Sequence, residues 1–335
     1  MTAPSGTMRT ENGKREMRKV LTIVLAAVVA IGCENKSPIE KAYEIGFASQ
    51  YGRSLIEGVE GLQQQELKLF GTYTLDGRTV RLFDAERLYY NTSAEKPCWD
   101  YNNTQYWISK ASYNFCAVCP YEAPCTFSDA EGRVVLGNYE ATTGGPDLLY
   151  ASAQRNLAEN EDFSTVPLNF RHACAALQFN LVNASNATLI DVRNIRLYGL
   201  YNVGSFSFEV DGSAEWIFNG TVLNEYSQAF GGACTLPEGG LPVNLNVRHS
   251  LYDGGAILVL PQTIYKTDVT LHLEYKKQGD AEYAIRNIQL GRLASPSVPT
   301  EWKSGEKYEY NLTITDNTIT TEVKVVDWVD HYVEL

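Results

Sequence analysis

Residues 175–181 read Ala-Ala-Leu-Gln-Phe-Asn-Leu, with apolar side chains at the odd positions and polar ones at 178 and 180. This period of two is typical of a β-strand that buries one face and exposes the other to solvent. The same alternation recurs in residues 269–275 and 308–314. These three stretches predict an all-β protein built from antiparallel sheets that pack through their apolar faces.

Shorter strands are predicted from clusters of β-branched and aromatic residues at 206–210, 257–260, 285–290 and 319–326. Glycine-containing turn signals, such as Asp76-Gly77 and Asp211-Gly212, separate the predicted strands. A single short helix is predicted, at residues 151–160. Many short strands with glycine-rich turns are typical of β-sandwiches.

The N-terminus carries the pattern of an export signal. A basic segment precedes an apolar run from Val20 to Ala30, which Thr22 alone interrupts, and then Ile31-Gly32-Cys33. The run is shorter than the roughly 20 residues of a membrane-spanning helix. A cysteine directly after the small residue predicts a lipoprotein signal peptide over residues 1–32, with cleavage before Cys33 and lipid on its thiol. The alternative is an ordinary signal peptide that ends near a cysteine.

About 300 residues follow this signal, which is enough for two domains of ordinary size. A polar stretch over residues 154–164 predicts a boundary after residue 165, with one β-sandwich domain over 54–165 and another over 166–335. The formal net charge of −12 argues against nucleic acid or anionic lipid as a direct partner.

Catalytic motifs do not occur in the sequence. It holds four histidines, and it has no nucleophile elbow, no H-E-x-x-H and no phosphate-binding glycine loop. We therefore predict that the protein is not an enzyme and has no cofactor and no metal site.

Six cysteines follow Cys33, and their spacing leaves any disulfide pairing open; they are Cys98, Cys116, Cys119, Cys125, Cys174 and Cys234. Cys116-x-x-Cys119 has the spacing of half a zinc or redox motif. It lies in a predicted strand, however, where residues three apart face opposite sides. The two thiols are predicted to be buried small apolar groups.

An ordered set of motifs resembles the fimbrillin family, the type V pilus subunits of Bacteroidetes-type bacteria. The motifs are Tyr106-Trp107, Tyr113-x-Phe115, Cys119-Pro120-Tyr121, Asp147-Leu148-Leu149-Tyr150-Ala151, Val166-x-Leu168-x-Phe170-x-His172, Ile195-x-Leu197-x-Gly199-Leu200-Tyr201-Asn202, Leu258-Val259-Leu260-Pro261-Gln262, Trp302-x-x-Gly305-x-x-Tyr308-x-Tyr310 and Asp327-Trp328. Two features depart from the family pattern, namely Ile108 after Trp107 and the cysteines at 116 and 119.

The resemblance implies two tandem transthyretin-like antiparallel β-sandwich domains and a structural role in a cell-surface pilus. It implies a precursor anchored by lipid in the outer membrane, a trypsin-like surface protease that cuts it, and other pilus subunits as polymer partners. Residues 33–53 would form a lipidated leader with a removable first strand, because residues 43–47 alternate apolar and polar. The cleavage candidate is the bond between Arg53 and Ser54, and the second-choice cleavage residues are Arg78 and Arg81.

The resemblance also implies a donor strand that fills the groove of another subunit. The candidate is the C-terminal segment from residue 319 to 335, where Ile319, Thr321, Val323 and Val325 are predicted to share one face and Trp328 lies beyond them. Alternatively, both terminal segments complete their own domains.

A second function class is a surface glycan-binding lipoprotein of a nutrient-uptake system. Such proteins display exposed aromatic platforms, for which Trp99, Trp216 and Trp302 are the candidates.

Overall fold

The computed structural model describes residues 42–51, 58–141, 147–218, 234–237, 243–244, 257–293 and 298–328. The strands of the first half are β1 (Phe47–Tyr51), β2 (Leu67–Leu75), β3 (Arg78–Asn91), β4 (Cys98–Asp100), β5 (Ser112–Cys119), β6 (Cys125–Ser128), β7 (Arg133–Glu140), β8 (Leu149–Asn156) and β9 (Val166–His172). A short helix, α1 (Gly58–Gln63), stands between β1 and β2.

The second half contributes β10 (Ala175–Asn183), β11 (Leu189–Tyr198), β12 (Val203–Glu209), β13 (Ala214–Phe218), β14 (Cys234–Pro237), β15 (Val243–Asn244), β16 (Ile257–Val259), β17 (Gln262–Thr263), β18 (Thr270–Lys277), β19 (Ala284–Gln289), β20 (Glu301–Trp302), β21 (Glu306–Ile314) and β22 (Ile319–Asp327), with a 3-10 turn at Leu290–Arg292. The predicted all-β fold is confirmed.

The first half is built around a closed seven-stranded sheet in the order β1-β4-β3-β2-β5-β8-β9, in which β9 returns to β1. Its interior is filled by aromatic and aliphatic side chains, among them Phe83, Tyr113 and Phe115. A four-stranded sheet, β13-β12-β7-β6, covers the outer face of β2, β5 and β8. Strand β5 is therefore buried on both faces.

The second half is a β-sandwich of two sheets. One has the order β15-β10-β21-β22, with β16 also paired to β10, and the other has the order β14-β11-β18-β19. The alternating side chains of β10, β18 and β21 point into the core between them, where Phe179, Leu271 and Tyr310 are buried. The strands predicted at residues 175–181, 269–275 and 308–314 are confirmed with these faces.

The helix predicted at residues 151–160 is wrong, because residues 149–156 form strand β8. Ala151 is 1% exposed and lies opposite Ala117 of β5 inside the closed sheet. Pairing with β5 and β9 outweighs the helical preference of alanine, which is worth well under about 1 kcal/mol per residue.

Strand β9, which begins at residue 166, pairs with β8 and β1 in the first sheet. Strand β12 also returns to the first half, where it pairs with β7. The two halves therefore interleave through β9 and β12. The domain boundary after residue 165 stays a prediction.

Candidate functional site: the first and last strands

Strand β1 closes the first sheet by lying between β4 and β9. It runs parallel to β9 over five register pairs, from Phe47 opposite Val166 to Tyr51 opposite Phe170. On its other side, Phe47 lies opposite Trp99 of β4. Without β1, β4 and β9 would each present an unpaired edge, and a groove one strand wide would separate them. We call this space the closing groove.

The side chains at the start of the first strand are anchored in the core. Ile45 is 1% exposed and Phe47 is 3% exposed. The Phe47 ring packs edge-on against Phe83, Tyr101 and Phe115, with centroid distances of 5.8, 5.9 and 5.4 Å. Burial of these two side chains contributes about 3–6 kcal/mol before the cost of ordering the segment.

Backbone hydrogen bonds fix the residues just before β1. The amide of Ile45 donates to the Gln105 carbonyl at 2.9 Å, and the amide of Val166 donates to the Gly46 carbonyl at 2.8 Å. The Tyr101 hydroxyl donates to the Ile45 carbonyl at 2.8 Å. Burial raises the pKa of Tyr101, so its phenol stays a neutral donor.

The predicted short strand over residues 43–47 begins later than expected. Regular pairing starts at Phe47, and Glu44 makes only an isolated bridge to Tyr106. Ile45 and Phe47 point inward as the alternation predicted, whereas Tyr43 is 44% exposed and stacks on Phe163 at 4.9 Å.

The candidate cleavage residues Arg53 and Ser54 lie outside the described residues, as does Cys33. Along the chain, Arg53 follows the last residue of β1 by two positions. The reserve candidates lie within strand β3, where Arg78 pairs with Leu75. Arg81 is held by Asp84 at 2.6 Å and Asp129 at 2.8 Å, which makes it a poor protease substrate.

Strand β22, the candidate donor, lies at the end of its sheet. It pairs with β21 over nine positions, from Ile314 opposite Ile319 to Glu306 opposite Asp327. Within the described part of the chain, no strand pairs with its other edge. Val323 is 3% exposed and Ile319 is half-buried, so both pack on the sandwich core. Val325 is 51% exposed although its register partner Tyr308 is buried in the core, so the predicted apolar face of β22 is buried only as far as Val323.

The residue after β22 is anchored in the first half of the molecule. Trp328 is 2% exposed, and its ring stacks on His172 with a centroid distance of 3.7 Å and an interplanar angle of 4°. The His172 Nδ1 atom lies 2.9 Å from Oδ2 of Asp147, and both side chains are buried. We call these three residues the tryptophan anchor. Its three members each belong to one of the motifs that carry the family resemblance, but those motifs are separate in sequence, and none of them indicated that the three side chains meet.

The cysteine pair lies where the strand geometry predicted. Cys116 faces the core beneath the four-stranded sheet, and Cys119 faces the interior of the closed sheet. Burial raises the pKa of the Cys116 thiol to about 12. Burial, and then the nearby Asp147 carboxylate, raises the pKa of Cys119 and of Cys174. These thiols are neutral, buried groups. Free thiols are found at Cys98, Cys116, Cys119, Cys125 and Cys174.

The aromatic platform predicted for a glycan binder is wrong for two of its three residues. Trp99 is 5% exposed and Trp302 is 1% exposed, and the Trp302 Nε1 atom donates to the Tyr310 hydroxyl at 2.9 Å. Trp216 is half-buried, and its Nε1 donates to the Ala173 carbonyl at 2.7 Å. These indoles pack the protein core because their sheets bury them.

The described residues contain neither a metal-binding cluster nor a membrane-spanning helix. No group of three or more histidine, cysteine or acidic side chains there is arranged to hold a metal ion. None of the helices described has both the length and the apolar character needed to cross a membrane.

Comparison with known proteins connects this fold to one family. The model of the fimbrillin-like family matches residues 64–328, which is most of the chain. A fimbrial protein from Bacteroides vulgatus is 19% identical with a TM-score of 0.60, and the alignment covers 86% of this chain and all of that protein.

A candidate cell adhesion protein from Bacteroides uniformis is 16% identical with a TM-score of 0.51, covering 88% of this chain and all of that one. At these identities the two structures show the shared fold. The search of curated proteins found no match.

Proposed function

The chain belongs to the fimbrillin-like family, and we propose that it is a structural, non-enzymatic subunit of a cell-surface fimbria that contributes to adhesion. Membership of this family implies assembly with other pilus subunits at the cell surface. The single observation that carries the finer proposal is the position of β1, which closes a sheet with partners far away in sequence.

In the proposed pathway, Cys33 receives lipid after export, and the precursor is held in the outer membrane. A trypsin-like surface protease then hydrolyses the bond between Arg53 and Ser54. Because β1 ends at Tyr51, this cut separates the whole first strand from the rest of the chain. Since β1 is joined to the remainder only through that one connection, it can leave, and the lipid leaves with it.

Departure of β1 would open the closing groove. Its floor would present the rings that now surround Phe47, which are Phe83, Tyr101 and Phe115. Its walls would be the free edges of β4 and β9. Such a groove selects an extended segment with large apolar side chains at alternate positions, because the edges supply ladder hydrogen bonds and the floor supplies pockets.

The proposed occupant is the C-terminal segment of a second copy or of a related subunit, carrying Ile319, Val323, Val325 and Trp328. In its own molecule, β22 has one described neighbour, β21. In the closing groove it would have two, and Val325, now 51% exposed, would become buried. These gains offset the loss of the ladder with β21 and of the contact between Trp328 and His172.

The proposal is tested by treating the purified precursor with trypsin. We expect loss of an N-terminal fragment that ends at Arg53, followed by ladders that resist SDS. Arg53→Ala should prevent both, whereas the matched control Arg78→Ala should leave both unchanged, because Arg78 lies within a strand.

Two results would contradict the proposal. Normal polymers from the Arg53→Ala variant would exclude cleavage at this residue. Normal polymers from a chain truncated before Ile319 would exclude the C-terminal segment as donor.

A further inference from the structure

The C-terminal sandwich ends in a free strand edge. Strand β22 pairs with β21 over nine positions, and within the described residues no strand lies on its other side. The backbone N–H and C=O groups along such an edge are a template for another extended strand. A strand that pairs there extends the sheet and gains ladder hydrogen bonds.

The charged side chains of β22 are placed symmetrically about Val323, which is buried. Glu322 and Lys324 flank it and point away from the core, since successive side chains of a strand face opposite sides. Their side chains are 66% and 56% exposed, and the Lys324 Nζ atom lies 4.0 Å from Oε1 of Glu322. At this distance and exposure the pair contributes little within one chain, so both charges can pair with a partner.

A second copy of β22 fits this edge when it runs antiparallel to the first. With a twofold axis at Val323, Glu322 of each copy lies opposite Lys324 of the other. Directly opposite side chains of antiparallel strands have Cβ atoms about 4.5–5.5 Å apart, which is within reach of an ion pair. Two ion pairs therefore form, one on each side of the axis, as in other contacts that join identical surfaces.

The same register brings uncharged side chains together along the rest of the strand. Val325, which is 51% exposed, comes to lie opposite Thr321 of the other copy. On the outer face, Val326 lies opposite Thr320. Pairs of β-branched residues stabilise antiparallel strands, and no two like charges are directly opposite in this register.

The free edge of the second sheet lacks this symmetry. Strand β19 ends that sheet within the described part of the chain, and its one charged residue is Arg286. Self-pairing centred on the middle of β19 would place the two copies of Arg286 opposite or beside each other, with no acidic residue to pair with them. Of these two edges, β22 is the one that is complementary to itself.

We propose that the uncleaved chain forms a twofold-symmetric dimer through antiparallel pairing of β22 with β22 of a second copy. Glu322 and Lys324 set the register and select the partner. The dimer requires neither cleavage nor lipid, so it goes beyond the proposed function and does not rest on it. Under the proposed pathway, the same pairing would also cover the candidate donor strand until a groove opens.

Sedimentation velocity of the purified, uncleaved chain measures the dimer. A ladder of nine residues is smaller than a standard protein interface, so we expect a Kd on the order of 10–100 μM. Glu322→Lys and Lys324→Glu should each weaken dimerisation at least about tenfold, because each change replaces two ion pairs by two like-charge contacts. An equimolar mixture of the two variants should form a heterodimer about as tightly as the parent pairs with itself, since opposite charges then face each other at both positions.

The matched control is Glu301→Lys, which changes the net charge by the same amount. Glu301 also lies two positions from a lysine, with its Oε1 3.6 Å from Nζ of Lys303, and the two side chains are 49% and 57% exposed. It belongs to β20, which pairs with β17, so this variant should dimerise as the parent does. All these substitutions are at exposed positions and should leave the circular dichroism melt unchanged.

Three results would overturn the proposal. The first is a parent chain that stays monomeric at concentrations up to about 500 μM. The second is a mixture of the Glu322→Lys and Lys324→Glu variants that associates no better than either variant alone. The third is growth of the uncleaved parent beyond dimers, which would assign the edge to a head-to-tail contact with a different surface.

Discussion

The first and last strands are held in contrasting ways. Strand β1 has neighbours on both sides, but those neighbours, β4 and β9, are distant in sequence. Strand β22 has one described neighbour, and a short turn connects the two. In that turn the Thr315 amide donates to the Thr318 carbonyl at 2.8 Å.

The number of contacts that a strand makes therefore does not by itself decide how easily the strand is released. A strand in a hairpin stays beside its partner even when its hydrogen bonds open, because the chain keeps the effective concentration high. A strand attached through one connection loses this advantage when that connection is cut, and a competing strand can then replace it. Under the proposed pathway, the better-enclosed strand β1 is therefore the one that a single proteolytic event releases.

The largest effect is expected at the centre of β1. Phe47→Ala should destabilise the uncleaved chain by about 3–5 kcal/mol, since it removes a buried ring and leaves a cavity beside Phe115. Urea denaturation measures the change. The control Tyr43→Ala, at a residue that is 44% exposed, should cost less than about 1 kcal/mol. Equal effects for the two variants would show that β1 is not anchored by Phe47.

A somewhat smaller effect is expected at the end of the last strand. Trp328→Ala should cost about 2–4 kcal/mol, because it removes the ring that stacks on His172. The loss of stability is smaller than for a fully satisfied indole, because the buried Nε1 of Trp328 has no hydrogen-bond partner among the described residues. Its removal therefore also removes an unsatisfied donor.

Hydrogen exchange locates the effect of that substitution. Faster exchange in β22 and β9 together, with β1 unchanged, is the expected pattern. Unchanged exchange in β22 would contradict the role of the tryptophan anchor.

The smallest effect concerns alkaline pH and the buried thiol of Cys116 beneath the four-stranded sheet. Its folded pKa, raised by burial to about 12, exceeds the ordinary value of 9.0. Below pH 9 the thiol is neutral in both the folded and the unfolded chain, so its burial costs no stability. As the pH rises from 9 towards 12, the thiol ionises only in the unfolded chain, and the free energy of unfolding therefore falls. At pH 10 the loss amounts to about 1 kcal/mol.

Denaturation at pH 8 and pH 10 measures this contribution. Cys116→Ala should lose about 1 kcal/mol less between the two pH values than the parent chain does. An identical decline in both chains would contradict the burial of this thiol.

The sequence predicted the sandwich strands well and the first strand only partly. Strands β10, β18 and β21 were predicted because each alternates apolar and polar residues throughout, and alternation is a local property. Residues 151–156 were mistaken for a helix, because Ala151 takes its strand conformation from its partner Ala117.

Long-range pairing was the main feature that the sequence did not reveal. Nothing near Phe47 identifies Val166 as its partner, and nothing near His172 identifies Trp328. The closing groove and the tryptophan anchor both depend on such pairs, which only the folded chain brings together.

A removable disulfide between β1 and β9 tests the central claim most directly. Ala48 lies opposite Pro167, and neighbouring strands stand about 4.8 Å apart, within the range that a disulfide spans. The pair Ala48→Cys and Pro167→Cys is made in a Cys98→Ser background, which removes the exposed native thiol.

After trypsin treatment, the oxidised protein should be cut yet remain monomeric, and reduction should restore SDS-resistant polymers. Equal polymerisation with the disulfide intact would contradict the account, since β1 would then not need to leave its groove.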